Sequence, residues 1–168
     1  MIFCSVRHAA MVPLCVLAVL LGGMPCEAGP LERQTANKSV VRSFWTDVWA
    51  ERKFNRIDEL FSEDFVIHSA GKPIGPRNAF KDWVKSFFSN IDDLELEVLD
   101  IFAEEDKVIT RWICRGRFVG NMFGINGRSQ RIEFTGMNIM TVRDGRIVEA
   151  WVERDGLGLA RQIGLVKE

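Results

Sequence analysis

The spacing of apolar residues changes near position 90, and this change limits the folds that the chain can adopt. Before it, apolar side chains recur at helical intervals, as at Val41, Phe44, Trp45, Val48 and Trp49. After it, leucines alternate with acidic residues in DLELEVLDIFA. A helical period buries one stripe of a helix, whereas a period of two buries one face of a strand. The order therefore indicates helices followed by a sheet, which is typical of an α+β domain.

The first half of the chain predicts three helices and one short strand. Helical spacing predicts a helix over 39–53, a short helix over 57–61 and a third over 78–89, with Pro76 suited to a helix start. Between them, DFVIH at 64–68 is typical of a strand that ends in the turn-forming SAGKPIGP.

The second half predicts long antiparallel strands joined by tight turns. EEDK separates DLELEVLDIFA from VITRWICRGRFVG, and Asp144-Gly145 separates RIEFTGMNIMTV from RIVEAWVERD. Asp-Gly between alternating segments is a strong hairpin signal. Such a sheet hides its apolar face only by curling around the helices. We therefore expect a strongly curved, mainly antiparallel sheet with one enclosed pocket.

Asp155 has two interpretations at the end of the last strand. Strict alternation places it on the face of Ile147, Glu149, Trp151 and Glu153, with Val148, Ala150, Val152 and Arg154 on the other. On the face of Trp151, the Asp155 carboxylate would enter an apolar cavity. Alternatively, an aspartate before Gly156 is typical of a helix N-cap.

Other polar and aromatic residues also have a structural and a functional interpretation. Asn138 stands in an otherwise apolar row, so its amide needs a partner, either in a ligand pocket or on a neighbouring strand. His68 follows a strand and is either a structural hydrogen-bonding residue or a catalytic one. Four tryptophans fill the core or form aromatic cavity walls: Trp45, Trp49, Trp83 and Trp151.

Composition and residue spacing argue against nucleic-acid binding and against a metal site. The formal net charge is −1 without a basic block, which disfavours nucleic acid as a partner. His68 is the only histidine after residue 28, and no HxH, HExxH or CxxC spacing is present, which disfavours a metal site.

The first 28 residues have the pattern of a signal peptide. Arg7 and His8 precede the apolar run AAMVPLCVLAVLLGG, and Cys26 and Ala28 suit cleavage after Ala28. We expect a secreted or extracytoplasmic domain of residues 29–168 without stable membrane insertion, although retention of the leader as an anchor is the alternative. Cys114 would then be the only cysteine of the domain, so no internal disulfide is expected.

The chain resembles the SnoaL-like polyketide cyclase or ester cyclase family over about 40–164. The likeness rests on DFVIH, the helix after GP, DLELEV, EEDKVITRW, FTGMNIMTVRDGRIVEAW and the ending D-x-L-G-L-x-x-Q-x-G, in this order. The resemblance implies a fold like that of nuclear transport factor 2, a cone of helices and a curved sheet around one pocket.

The resemblance also implies an activity without cofactor or metal. The studied cyclases close a ring by aldol condensation, with an aspartate that matches Asp155 as general acid/base. His68 would hydrogen-bond the substrate or the acid, Asn138 would bind a carbonyl oxygen, and Met122 and Phe123 would shape the cavity with the tryptophans. Position 150 is Ala150, where many members have histidine.

Three functions remain open after this comparison. The first is a cofactor-free cyclase, isomerase or dehydratase (lyase) that acts on a small, mostly apolar carbonyl compound. The second is a secreted protein that binds such a compound without catalysis. The third is a dimerisation or interaction module that uses the open sheet face with Arg111, Arg115 and Arg117, and a homodimer is compatible with all three.

Overall fold

The computed structural model describes residues 29–166, so the predicted leader lies outside the described residues. The helices are α1 (Pro30–Ser43), which continues as a π-helical segment (Phe44–Ala50), α2 (Arg56–Leu60), α3 (Arg77–Asn90) and α4 (Gly156–Gln162). Within residues 29–166 no helix is both long and apolar enough to cross a membrane.

Six strands form one curved, mixed sheet. They are β1 (Phe61–Ser69), β2 (Lys72–Ile74), β3 (Ile91–Glu104), β4 (Lys107–Phe118), β7 (Gln130–Arg143) and β8 (Arg146–Arg154), in the order β2-β1-β8-β7-β4-β3. Only β1 and β8 pair in parallel. The connection between β4 and β7 holds a small hairpin of β5 (Asn121–Met122) and β6 (Ile125–Asn126). The predicted α+β architecture, with helices packed on a curved sheet, is confirmed.

The first helix begins nine residues earlier than predicted. Pro30 occupies the first turn, and the Gly29 backbone N–H donates to Glu32 Oε2 at 3.1 Å. These are features of a helix start that do not depend on apolar periodicity. The polar residues 30–38 lack a helical stripe, which is why spacing alone did not reveal this part of the helix.

The two predicted hairpins are confirmed. The β3–β4 hairpin turns at Glu105 and Asp106, and the β7–β8 hairpin turns at Asp144 and Gly145, which have φ angles of 49° and 72°. Positive φ at both central residues is characteristic of a type I′ turn, whose twist suits paired strands. Long paired strands therefore follow each other closely in the second half of the chain.

A bulge in β8 determines which of its side chains face the helices. Thr141 pairs with Glu149 and Val142 with Ile147, so Val148 is an additional residue in β8. An additional residue reverses the alternation of the side chains beyond it. Ile147 and Ala150 are therefore both buried, although they are an odd number of residues apart.

Candidate ligand-binding site

An aromatic cavity lies between the helices and the concave face of the sheet. The remaining space admits the centres of water molecules over about 40 Å³, enough for a few waters. The lining consists mainly of aromatic and aliphatic side chains: Phe44, Trp45, Trp49, Phe61, Phe65, Ile67, Phe80, Trp83, Phe87, Leu96, Trp112, Cys114, Phe134, Asn138, Met140, Ala150, Val152 and Arg154. A ligand that contains a ring needs more space than this, so half-buried side chains of the lining must move to admit it.

The tryptophans of the cavity come from both layers of the fold. Trp45 and Trp49 lie on the π-helical segment, Trp83 on α3 and Trp112 on β4, and the Trp45 and Trp112 ring centroids are 6.3 Å apart. Trp112 lies so close to Gly136 on β7 that a Cβ there would be 2.3 Å from its ring. Glycine at this position therefore leaves space for the indole.

The side-chain oxygen of Asn138 accepts a hydrogen bond within the cavity wall. Trp112 Nε1 donates to Asn138 Oδ1 at 2.6 Å, and both residues are buried. One lone pair of this oxygen is thereby used, and the NH₂ group of the same side chain can only donate. Asn138 thus lies in the pocket, as one of its two interpretations predicted, and it also bonds to a neighbouring strand, as the other predicted.

Two more donors in the lining are unpartnered. The Nε1 atoms of Trp45 and Trp49 are buried and have no hydrogen-bond partner within the described chain. Both side chains are 7 % exposed. A buried donor without a partner loses its hydrogen bond to water, which costs free energy. A ligand with an acceptor oxygen would recover such a bond.

Arg154 contributes a cation to the same cavity. It is the last residue of β8, is half-buried, and lines both the cavity and an adjoining cleft with Ala70 and Phe123. Loss of solvent around the guanidinium lowers the pKa of Arg154, while neighbouring Glu153 acts in the opposite direction.

Cys114 lies in the lining as a neutral thiol. Burial raises its pKa to about 12, and the side chain is 1 % exposed. Since the thiolate is the nucleophilic form, Cys114 serves as an apolar wall with a weak S–H donor.

Asp155 is not among the cavity-lining residues. Its side chain is exposed, and its Oδ1 accepts a hydrogen bond from the Gly158 backbone N–H at 2.7 Å as the N-cap of α4. The prediction that it shares the cavity face with Trp151 is wrong, because the bulge at Val148 turns Ala150, Val152 and Arg154 inward instead. The N-cap interpretation is the one that the structure supports.

His68 and Trp151 lie on the opposite face of the sheet from the cavity. Trp151 is 52 % exposed and stacks on the His68 ring with centroids 4.0 Å apart. His68 Nε2 lies 3.2 Å from Glu149 Oε1. The expected place of Trp151 in the cavity wall is therefore wrong, and neither His68 nor Asp155 contacts the cavity in this conformation.

Met122 and Phe123 do not line the cavity either. Met122 packs against the core, and Phe123 is 68 % exposed beside the outer cleft that it shares with Arg154. Trp45, Trp49, Trp83 and Asn138 do lie in the lining, and a role for them in substrate binding stays a prediction.

Two polar residues of the lining were missed as site residues. Trp112 was not singled out in the sequence, and Arg154 was placed on the face away from the pocket. The alternation of Ala150, Val152 and Arg154 could have indicated the pocket face, because two small apolar residues precede the arginine at a period of two.

The outer face of the sheet carries an apolar row that crosses five strands. The row is His68, Trp151, Ile139, Ile109 and Phe102, each the register partner of the next. The predicted arginine face flanks it, and Arg111, Arg115 and Arg117 form ion pairs with Asp100, Glu97, Glu133 and Asp93.

Within residues 29–166, no group of three or more His, Cys, Asp or Glu side chains is arranged to hold a metal ion.

A family model for the SnoaL-like polyketide cyclases matches residues 39–163. No curated protein matches the sequence. IdmH from Streptomyces antibioticus, whose assigned activity is that of a polyketide cyclase, is 26% identical; the match covers 76% of this chain and 98% of that one, with a TM-score of 0.66.

Two further solved structures are similar. A protein from Bacillus cereus ATCC 10987, also assigned as a polyketide cyclase, is 25% identical, with 83% and 87% of the two chains covered and a TM-score of 0.67. A protein from Jannaschia sp. CCS1, assigned as a SnoaL-like polyketide cyclase, is 17% identical and shares the fold, with 84% and 99% covered and a TM-score of 0.75.

The role of Asp155 as the N-cap of α4 can be tested by measuring the free energy of unfolding of variants. We expect Asp155→Ala to lower the free energy of unfolding by about 1 kcal/mol in urea denaturation, because the Gly158 N–H loses its acceptor. Asp155→Asn keeps an acceptor oxygen and should cost only a few tenths of a kcal/mol, on the order expected between good caps. An unchanged stability of Asp155→Ala would contradict the cap role.

Proposed function

Because the chain belongs to the SnoaL-like polyketide cyclase family, we propose that it takes up a small, mostly apolar carbonyl compound in its central cavity. One observation supports this above all: the free polar groups of the lining are donors. They are the Asn138 amide, the indole N–H groups of Trp45 and Trp49, and the Arg154 guanidinium.

Donors and aromatic walls together suit a particular kind of ligand. The aromatic lining favours an apolar body, at roughly 25 cal/mol for each Å² removed from water. The donors favour an electron-rich oxygen, such as that of a ketone, ester or acid. A ligand with only donor groups would leave the indoles unpartnered and is disfavoured.

Cyclase-type proton transfer is the second candidate function, and the family match favours it. The same donors would stabilise an enolate oxygen as it forms. No carboxylate or histidine is among the lining residues, so a base must approach from outside. Asp155 adjoins Arg154 in the chain, and it would have to release the Gly158 N–H to act, at a cost of about 1 kcal/mol.

Binding can be tested with phenylacetone, a ketone that carries one aromatic ring. We expect the indole ¹H–¹⁵N NMR signals of Trp45, Trp49, Trp83 and Trp112 to shift during titration, because these four rings line the cavity. The Trp151 signal is the internal control, since this ring lies on the outer face.

Ala150→Leu provides the matched variant for that titration. Ala150 is 1 % exposed and lines the cavity, so a larger side chain should fill the space and weaken binding while the fold remains. Equal shifts of all five indoles, or binding unaffected by Ala150→Leu, would place the ketone elsewhere and contradict the proposal.

Catalysis can be tested by exchange of the methylene protons of phenylacetone in D₂O, followed by NMR. If Asp155 is the base, the protein accelerates exchange, and Asp155→Asn lowers the rate by about 10²-fold or more, the usual contribution of a general base. Acceleration that survives in Asp155→Asn excludes this residue as the base. No acceleration despite binding excludes proton transfer from this ketone.

We further propose that the outer row of the sheet joins two copies of the chain. Trp151, Ile139 and Phe102 are 52 %, 45 % and 63 % exposed. Both acids and arginines flank this row, so two identical faces related by a twofold axis can pair opposite charges around an apolar centre.

Sedimentation velocity tests this association. We expect a dimer for the wild type and a monomer for Ile139→Glu, because a carboxylate at the centre of the row would be buried without a partner. Arg146→Glu changes an exposed residue at the start of β8 and should leave the dimer intact. A wild-type monomer at micromolar concentration would refute the proposal.

A further inference from the structure

We propose that the ligand of the cavity is a carboxylic acid, whose carboxylate pairs with Arg154 while its apolar body lies among the tryptophans. This inference rests on the proposed function and adds a charge to the ligand. It also assigns Arg154 as the residue that selects an acid over a neutral carbonyl compound.

The first step is the lack of an ion-pair partner for Arg154. Arg111, Arg115 and Arg117 on the outer face each pair with an acidic side chain at 2.6–3.1 Å. Arg154 forms no salt bridge with any residue in 29–166, although Glu153 is its chain neighbour. The Glu153 side chain is exposed and borders the adjoining cleft together with Arg154, but it forms no salt bridge with the guanidinium.

The second step is the position of Arg154 between apolar surfaces. Val152 lies beside it on the same face, and the guanidinium borders both the aromatic cavity and the cleft with Phe123. A partly desolvated cation that forms no salt bridge within residues 29–166 is costly. The lowered pKa of Arg154, caused mainly by burial, has the direction expected for such a site.

The third step concerns the chemical group that could accept hydrogen bonds from all of these donors. A guanidinium presents a planar pair of N–H groups that matches the two oxygens of a carboxylate. The unpartnered indole N–H groups of Trp45 and Trp49 add donors in the same lining. Within residues 29–166, the lining of the aromatic cavity offers no carboxylate that would repel an anion, and Glu153 borders only the adjoining cleft.

The fourth step limits the ligand to one small acidic group. The cavity is narrow, and apart from Arg154 its lining carries no charged side chain. A second charge on the ligand would therefore be buried in apolar surroundings without a partner. The ligand class is thus an aromatic or aliphatic monocarboxylic acid.

Phenylacetate and phenylacetamide provide a matched test, because they differ in charge but hardly in size. At pH 7 and 0.15 M salt, we expect the wild type to bind phenylacetate about tenfold more tightly or better, as charged hydrogen bonds are stronger than neutral ones. The dissociation constants are read from the indole signals of Trp45 and Trp49. Equal affinities would overturn the inference and leave the proposed function standing.

Variants assign the preference to Arg154. Arg154→Met should remove the preference for phenylacetate while phenylacetamide binds within about twofold of wild type, because only the charge-assisted bonds are lost. Arg154→Lys should retain part of the preference. This variant replaces Arg154→Met in the test if the methionine variant fails to fold. Arg146→Met, on the same strand but exposed, should change neither affinity.

Two results would count against the inference in different ways. A preference for phenylacetate that persists in Arg154→Met would show that another group selects the acid. Failure of both compounds to move the indole signals would refute the cavity as a ligand site and would thereby refute the proposed function as well.

Discussion

The additional residue in β8 is the constraint on which the candidate site depends. Because Val148 has no register partner on β7, the strand places Ile147 in the core and then presents Ala150, Val152 and Arg154 to the cavity. Without the bulge, alternation from Ile147 would bring Trp151 and Glu153 inward and put a large ring and a carboxylate where the cavity now lies. A local irregularity of one strand thus determines both the free volume and the charge of the pocket.

A second interaction keeps the opposite wall in place. The Trp112 indole lies against Gly136 and donates to Asn138, so β4 and β7 are linked by a buried side-chain hydrogen bond as well as by their backbone ladder. A satisfied buried polar pair holds both side chains in one arrangement. The cavity therefore has one wall in which a buried hydrogen bond holds two side chains, and another, formed by Trp45, Trp49 and Arg154, in which the donors have no such partner.

Sequence patterns predicted the architecture better than the site. Apolar spacing and turn residues predicted α3, the apolar part of the first helix, the two hairpins and the inward row of β7, because each depends on local chemistry. The prediction of the site failed at β8, because a bulge leaves no signal in a single sequence. One additional residue reverses the predicted face of every side chain that follows it in the strand. Trp151 was therefore placed inside, and Arg154 outside. Asn138 was placed correctly because β7 is regular along that stretch.

Arg154 and Asp155 are adjacent in the chain, but they serve different parts of the structure. The strand ends at Arg154, so its side chain still follows the pleat into the cavity, whereas Asp155 has left the strand and caps α4. Gln162 then fastens α4 to the sheet through two 2.8 Å hydrogen bonds with the Glu133 backbone. Ala150 lies on the same inward face as Arg154. The polar side chain that this strand brings to the pocket is thus an arginine at its end. An arginine there suits recognition of an anion better than proton transfer at neutral pH, because an arginine keeps its proton whereas a histidine exchanges it.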